Sequence, residues 1–176
     1  MEPSTRRRFV IQAAAVSAGA SVPATLASAA EPAAPSADDN DVVFTAVAIG
    51  KVEKSGDTTR LRLSDQYAYG LLGLDQWSHV NVLYWFDKND VPQKRRILRV
   101  HPRGNPDNPL TGVFACRSPV RPNLIALSVC KILAVEENAV VVDQIDAFDG
   151  TPLLDLKPFI PPDAPREGVR TPDWTR

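Results

Sequence analysis

The sequence predicts a mainly β protein, a closed or nearly closed barrel with short helical turns. From Val42 onward, short runs rich in β-branched residues recur, separated by turn signals at 53–57 (EKSGD) and at Glu137-Asn138. No helical period is sustained for more than about two turns. The 176 residues are 44% hydrophobic with a formal net charge of −1. That content supplies one buried core and excludes a disordered chain. Near-neutral charge also excludes bulk affinity for nucleic acid, so any such contact must rest on a local patch.

Residues 1–29 read as a twin-arginine signal peptide. Arg6, Arg7 and Arg8 precede an uncharged run from Phe9 to Ala30, and Ala27-Ser28-Ala29 is a small-residue cleavage site. Gln12, Gly19 and Pro23 make that run a poor membrane span, since spanning wants about 20 predominantly apolar residues. The expected location is therefore the periplasm or cell envelope, with no stable membrane span once the leader is removed. Arg6, Arg7, Arg8 and Glu2 leave with the leader, so the remaining chain holds 17 basic and 20 acidic residues. Residues 30–41 (AEPAAPSADDND) are small, proline-dotted and acidic, a flexible linker.

The predicted strands are 42–52 (VVFTAVAIGKV), 59–64 (TRLRLS), 79–87 (HVNVLYWFD), 95–102 (RRILRVHP), 112–117 (GVFACR), 124–138, 139–146 (AVVVDQID) and 151–160 (TPLLDLKPFI). In 79–87, Val80, Val82, Tyr84 and Phe86 alternate against Asn81, Leu83 and Trp85. Residues 68–77 (AYGLLGLDQW) predict a helical turn, and 164–176 a Pro-rich surface tail in which Trp174 offers an anchor. Cys116 and Cys130 are expected to be free thiols in the core. The only histidines are His79 and His101, so no metal site is predicted.

Two stretches carry the chemistry. Lys94, Arg95, Arg96, Arg99, Arg103, Arg117 and Arg121 face one acid, Asp107, within 94–121. For Lys94 to Arg96 the reading is a charge-protected strand edge. Arg117 and Arg121 lie between apolar runs, in a loop that Pro119 and Pro122 stiffen. Arginines on a rigid loop suit planar, bidentate anion contacts. Further on, 143–158 (DQIDAFDGTPLLDLKP) crowds Asp143, Asp146, Asp149 and Asp155 near Lys157. Asp149-Gly150 is a turn signal. Asp155 and Lys157 share a strand face, as a structural ion pair or as part of a site. There is no Ser/His/Asp nucleophile arrangement, no Gly-rich phosphate loop and no dinucleotide fingerprint.

The segment 112–128 (GVFACRSPVRPNLIALS) resembles the TrmO/TsaA-like family motif G-V-F-A-T-R-S-P-x-R-P-N-P-I-G/A-L-S. Residues 73–87 (GLDQWSHVNVLYWFD) are similar to the family's G-L-E-x-F-S-H-[apolar]-W-F-H, and 146–161 (DAFDGTPLLDLKPFIP) to D-x-x-D-G-T-P-[apolar]-D-I-K-P-Y-x-P. The resemblance covers 42–163 and three motifs in order. It implies a single-sheet β-barrel, commonly a homodimer, that binds S-adenosyl-L-methionine and methylates N6 of threonylcarbamoyladenosine in tRNA. By position, it implies cofactor contacts at Asp87, Lys88, Arg117, Leu127, Asp143, Gln144, Ile145 and Asp146. Arg121 and Asn123 are motif residues divided between loop architecture and substrate contact. No general base is identified. Cys116 stands for the usual Thr, Leu124 for Pro and Asp87 for His. The chain around 50–61 is short and lacks the Pro/Gly loop of longer members. The alternative is an exported protein that reuses the barrel pocket to bind another adenosine-like or anionic small molecule.

Overall fold

The computed structural model describes residues 43–161 and 168–175. The predicted leader 1–29 and linker 30–41 lie outside the described residues. Six strands build the wall: β1 (Gly50–Ser55), β2 (Thr58–Leu63), β3 (His79–Trp85), β6 (Ile125–Val135), β7 (Ala139–Val142) and β8 (Pro152–Pro158). They form a closed barrel in the order β1-β2-β7-β6-β3-β8, every neighbouring pair antiparallel. The long connection from β3 to β6 carries a short helix α1 (Pro92–Arg95) and a separate two-stranded ribbon, β4 (Arg99–Val100) with β5 (Thr111–Gly112).

The alternation of residue types decides which face points inward. Thr59, Leu61 and Leu63 of β2 are buried while Arg60 and Arg62 remain partly exposed. Val80, Val82 and Tyr84 of β3 join Val52, Ala126, Cys130, Val140, Val142 and Leu153 in one core. Each fully buried Val or Leu contributes about 1.5–3 kcal/mol. The barrel bends where the register slips, between Leu83 and Tyr84 against β8 and between Ile132 and Ala134 against β7. Such irregularities let so few strands curl round. At the seam, β1 meets β8 through Gly50↔Leu153 and Lys51↔Pro152. Gly50 is required here, because a Cβ would lie 2.0 Å from the Arg62 carbonyl oxygen.

Some predicted strands shrink, for one reason. Residues 43–49 extend without joining the sheet. The Ile49 amide still donates to Leu153 O at 2.8 Å, and Ser64 N donates to Ile49 O at 2.9 Å. Upstream of Ile49 the chain has passed the end of β2 at Leu63 and leaves β8, which runs on to Pro158 paired with β3 alone, so Val43 and Phe44 stay exposed. The predicted strands 95–102 and 112–117 reduce to the two pairs of the β4–β5 ribbon. Residues 65–76 form two 3-10 turns, Asp65–Leu71 and Leu74–Gln76, where a helical turn is predicted over 68–77. Both cysteines are free, Cys130 buried and Cys116 half-buried. Among the described residues no helix is long and apolar enough to cross a membrane.

Candidate functional site

The loop 113–124 leaves the ribbon and returns to β6. Its shape is set by side chains more than by burial. Arg121 Nη2 donates to the Val113 carbonyl and, at 2.9 Å, to the Cys116 carbonyl. Its Nε is buried with no hydrogen-bond partner among the described residues. Arg95 stacks on Trp85, 5.2 Å from the ring centroid, and donates from Nη1 to Pro122 O at 3.0 Å. Asp90 holds that arginine in place: its carboxylate accepts from Arg95 Nε at 2.8 Å and from Trp85 Nε1 at 2.9 Å. Lys94 donates to Asn89 Oδ1 at 3.0 Å. Lys94 and Arg95 therefore brace the excursion from a helix, instead of guarding a strand edge. Leu124, fully buried, pins the far end, and its carbonyl accepts from Phe86 N at 2.8 Å. Held this way, Arg117 is left exposed on the loop.

Opposite lies the Asp-rich segment after β7, pinned from several strands. Asp143 Oδ1 accepts from Lys131 N at 3.0 Å and from Gln144 N at 2.8 Å. Lys54 of β1 donates from Nζ to Ile145 O at 3.0 Å, and its amide to Asp149 Oδ1 at 2.8 Å. The Tyr84 hydroxyl donates to the Asp146 carbonyl and lies 3.2 Å from Ser128 Oγ. Burial pushes the Tyr84 phenol above its ordinary value, with the nearby Asp146 charge acting in the same direction and Ser128 and Arg117 opposing it. Tyr84 is thus a protonated donor at neutral pH. Asp149 and Gly150, at φ 79°, make the predicted turn. Asp155 and Lys157 form the ion pair, at 2.7 Å.

Three recesses result, with lining residues in common. One, of about 560 Å³, is bordered by Lys54, Tyr84, Asp87, Lys88, Asp146 and Phe148, among others. A shelf beside it is bordered by Arg117, Ser128, Val129, Gln144, Ile145 and Asp146. The largest, of about 1020 Å³, lies between the ribbon, the loop and the C-terminal tail, with Arg99, Arg117, Asp146 and Trp174 on its walls. Asp146 borders all three and Arg117 two of them. Asp87 pairs with Lys88 at 3.0 Å, and Thr151 Oγ1 reaches it at 3.5 Å.

Six predicted residues are thereby brought together: Asp87, Lys88, Arg117, Gln144, Ile145 and Asp146. Asp143 caps the β6–β7 junction with its carboxylate. Arg121 holds the loop. Asn123 is exposed, its carbonyl accepting from Ile125 N at 2.7 Å. Leu127 sits on the outer face of β6, 45% exposed, and borders none of these recesses. Residues 49–163 match the family described as the tRNA-methyltransferase O N-terminal domain. The chain belongs to this TrmO family. It is 48% identical over 111 residues to a probable S-adenosyl-L-methionine-binding protein of Methanocaldococcus jannaschii, covering 63% of this chain and 88% of that one. It is 42% identical over 101 residues to the human tRNA (adenine(37)-N6)-methyltransferase, 57% of this chain and 22% of the human one. Among solved structures, TrmO from P. aeruginosa superposes with a TM-score of 0.58 at 26% identity, over 77% of this chain and 63% of that chain. The chain thus spans under two thirds of that TrmO.

Within this TrmO-family barrel, sequence reasoning missed Tyr84, Lys54 and Trp174. Tyr84 looked like one more core position in an alternating strand. What distinguishes it is that it is the last inward residue of β3, where a hydroxyl reaches the barrel's end. Lys54 carried no local signal and Trp174 only that of a surface anchor, since only the fold brings β1 and the tail beside these recesses.

Proposed function

We propose that this chain is an S-adenosyl-L-methionine-dependent methyltransferase acting on the N6 nitrogen of adenine in tRNA, with threonylcarbamoyladenosine as the substrate nucleoside. The observation that carries it is the meeting of Arg117 and Asp146 at the junction of the recesses in a TrmO-family barrel. The donor set fits the cofactor. Arg117 suits its carboxylate, Asp146 and nearby carbonyls its ammonium and hydroxyl groups, and Phe86 and Phe148 its adenine. About 560 Å³ lies within the usual range of small-molecule sites.

When bound, the cofactor supplies an electrophilic methyl on a sulfonium. The chain's own residues orient and stabilise. Lys54 and Tyr84 fix the backbone at 145–146, which sets where the Asp146 side chain leaves the chain. That carboxylate lies where an acceptor nitrogen's N–H can donate to it. With the cofactor bound, methyl transfer to nitrogen would release the nitrogen's proton, and the Asp146 carboxylate would accept its hydrogen bond on the way to solvent. The protonated Tyr84 serves as donor, not base.

The test is transfer of a labelled methyl group from S-adenosyl-L-methionine to unmodified and threonylcarbamoyl-modified tRNA. Methyl incorporation into the modified tRNA is expected, and incorporation into neither would overturn the reading. A homodimer accompanies this proposal, because Ile125, Leu127 and Val129 leave an exposed apolar stripe on β6. Light scattering should give twice the chain mass. The twin-arginine leader favours a second reading, an exported protein that binds an adenosine-like or anionic small molecule. Native mass spectrometry of envelope protein carrying such a ligand, with no methylated tRNA, supports it over the first.

A further inference from the structure

Apart from Arg117 and Asp146, the 1020 Å³ recess is walled by groups that cofactor binding does not use. Its walls carry Arg99 and His101 from the ribbon, Arg103 from the turn after it, and Arg117 from the loop, against one carboxylate, Asp146. A chain that is acidic outside its leader has concentrated cations around a cavity larger than its neighbour. The backbone at this wall is unusual too. Arg103 adopts φ 60° and ψ 13°, the only non-glycine residue at positive φ among the described residues, and Gly104 follows at φ 67°. Strain of this kind persists only where surrounding structure fixes it. Here Gly104 N donates to His101 O at 3.1 Å and Arg103 Nη2 to Thr175 O at 2.9 Å. The second bond brings in the tail. Trp174, half-buried on the 3-10 turn Asp173–Thr175, completes the wall. It lies beyond the family-matched segment 49–163.

We propose that this recess receives the acceptor as a single, unstacked nucleotide of an RNA loop, its phosphate on Arg99 and its base against Trp174. This rests on the methyltransferase reading above and assigns the two sides of the site. The recess with Asp87 and Lys88 takes the cofactor, the recess with Arg99 and Trp174 takes the nucleotide, and Asp146 stands where they meet. The chemistry matches the walls. A guanidinium binds phosphate in a planar fork, and an indole offers a stacking surface that tolerates any base. The cavity volume suits a nucleotide more than a free anion. The tail, outside the family-matched segment, is then a positioning element tied to the turn after the ribbon by Arg103.

The experiment uses the full chain and a short RNA stem–loop with an unpaired adenosine in its loop. RNA binding is followed by fluorescence anisotropy, and S-adenosyl-L-methionine binding by calorimetry on the same proteins. Trp174→Ala is expected to weaken RNA binding roughly 5- to 100-fold, and Trp174→Phe to restore most of it. Arg99→Ala is expected to lower the slope of log K against log salt by about 0.7. Cofactor affinity should change less than twofold in all three. If wild-type protein does not bind the RNA, or if Trp174→Ala and Arg99→Ala bind it unchanged, the assignment is overturned. It is equally overturned if these variants lose cofactor affinity as much as RNA affinity. RNA binding that depends on Trp174 and Arg99 in a protein that does not bind the cofactor would uphold the recess and sink the methyltransferase reading. Cofactor binding with variant-insensitive RNA binding would do the reverse.

Discussion

The barrel wall and the β3–β6 excursion, residues 86–124, are held together by different forces. In the wall, backbone ladders run through all six strands and the interior is packed with Val, Leu and Ala. In the excursion, Pro102, Val113 and Leu124 are the fully buried residues. Order there comes from Arg95, Arg121, Lys94 and Asp90 bonding to backbone and to one another. The wall is thus a hydrophobic scaffold and the excursion a polar lattice fastened to it. A lattice of this sort can present Arg117 and Arg99 at defined positions without a second core, and its stability depends on individual side chains.

The largest expected effect lies in the wall. Leu61→Ala, at a site with no exposure, should cost about 2–5 kcal/mol and lower the melting temperature of the whole domain. In the excursion, Arg121→Met strips the Val113 and Cys116 carbonyls of their donor. The cost should be about 1–3 kcal/mol and local. Hydrogen exchange should accelerate across 113–123 while β2 and β3 amides keep their protection. Loss of protection in both regions would break the distinction between wall and lattice.

A third effect concerns alkaline pH. Burial pushes the Cys130 thiol from 9.0 up to about 11. Above pH 9 the unfolded chain releases a proton that the folded chain keeps, so stability falls as pH rises from 9 towards 11. Tyr84, also raised, adds to the loss above pH 10. Cys130→Ala should flatten the pH dependence between 9 and 11, measured by urea unfolding. The smallest effect belongs to the wall's outer surface. Arg60→Ala removes an exposed pair with Glu136 at 3.3 Å and should change stability by less than about 1 kcal/mol.

The same contrast explains what the sequence made legible. Period-2 alternation identifies a strand with one face buried, and 79–85 is readable for that reason, whereas 125–135 and 152–158 are readable as apolar runs bounded by turn signals. The excursion has no such period. Residues 95–102 and 112–117 look like strands because they are short and apolar, yet they lack long partners, and arginine bonds set their path instead. Residues 43–49 have the composition of a strand yet stay out of the sheet, because β propensity does not record whether a neighbouring strand will pair with a segment. In the site, motif positions located Arg117 and Asp146. They left Arg121 divided between loop architecture and substrate contact, and its guanidinium is turned back onto its own loop, while Arg117 is exposed. That distinction depends on the direction of each side chain, which sequence spacing does not record. Tyr84 as a core position and Trp174 as a tail anchor gain their places at the recesses only once the chain is closed on itself.

The central claim is that a TrmO-family cofactor site is assembled where the lattice meets the barrel's end, with Arg117 as its anion contact. Calorimetric titration of S-adenosyl-L-methionine into the full chain and its Arg117→Ala variant tests this most directly. The account predicts saturable binding to the wild-type protein, weakened by about 10-fold or more in the variant, as expected for loss of a charged hydrogen bond of roughly 1.5–3 kcal/mol. Absence of binding to the wild type at millimolar ligand, or equal affinity in both proteins, would contradict it.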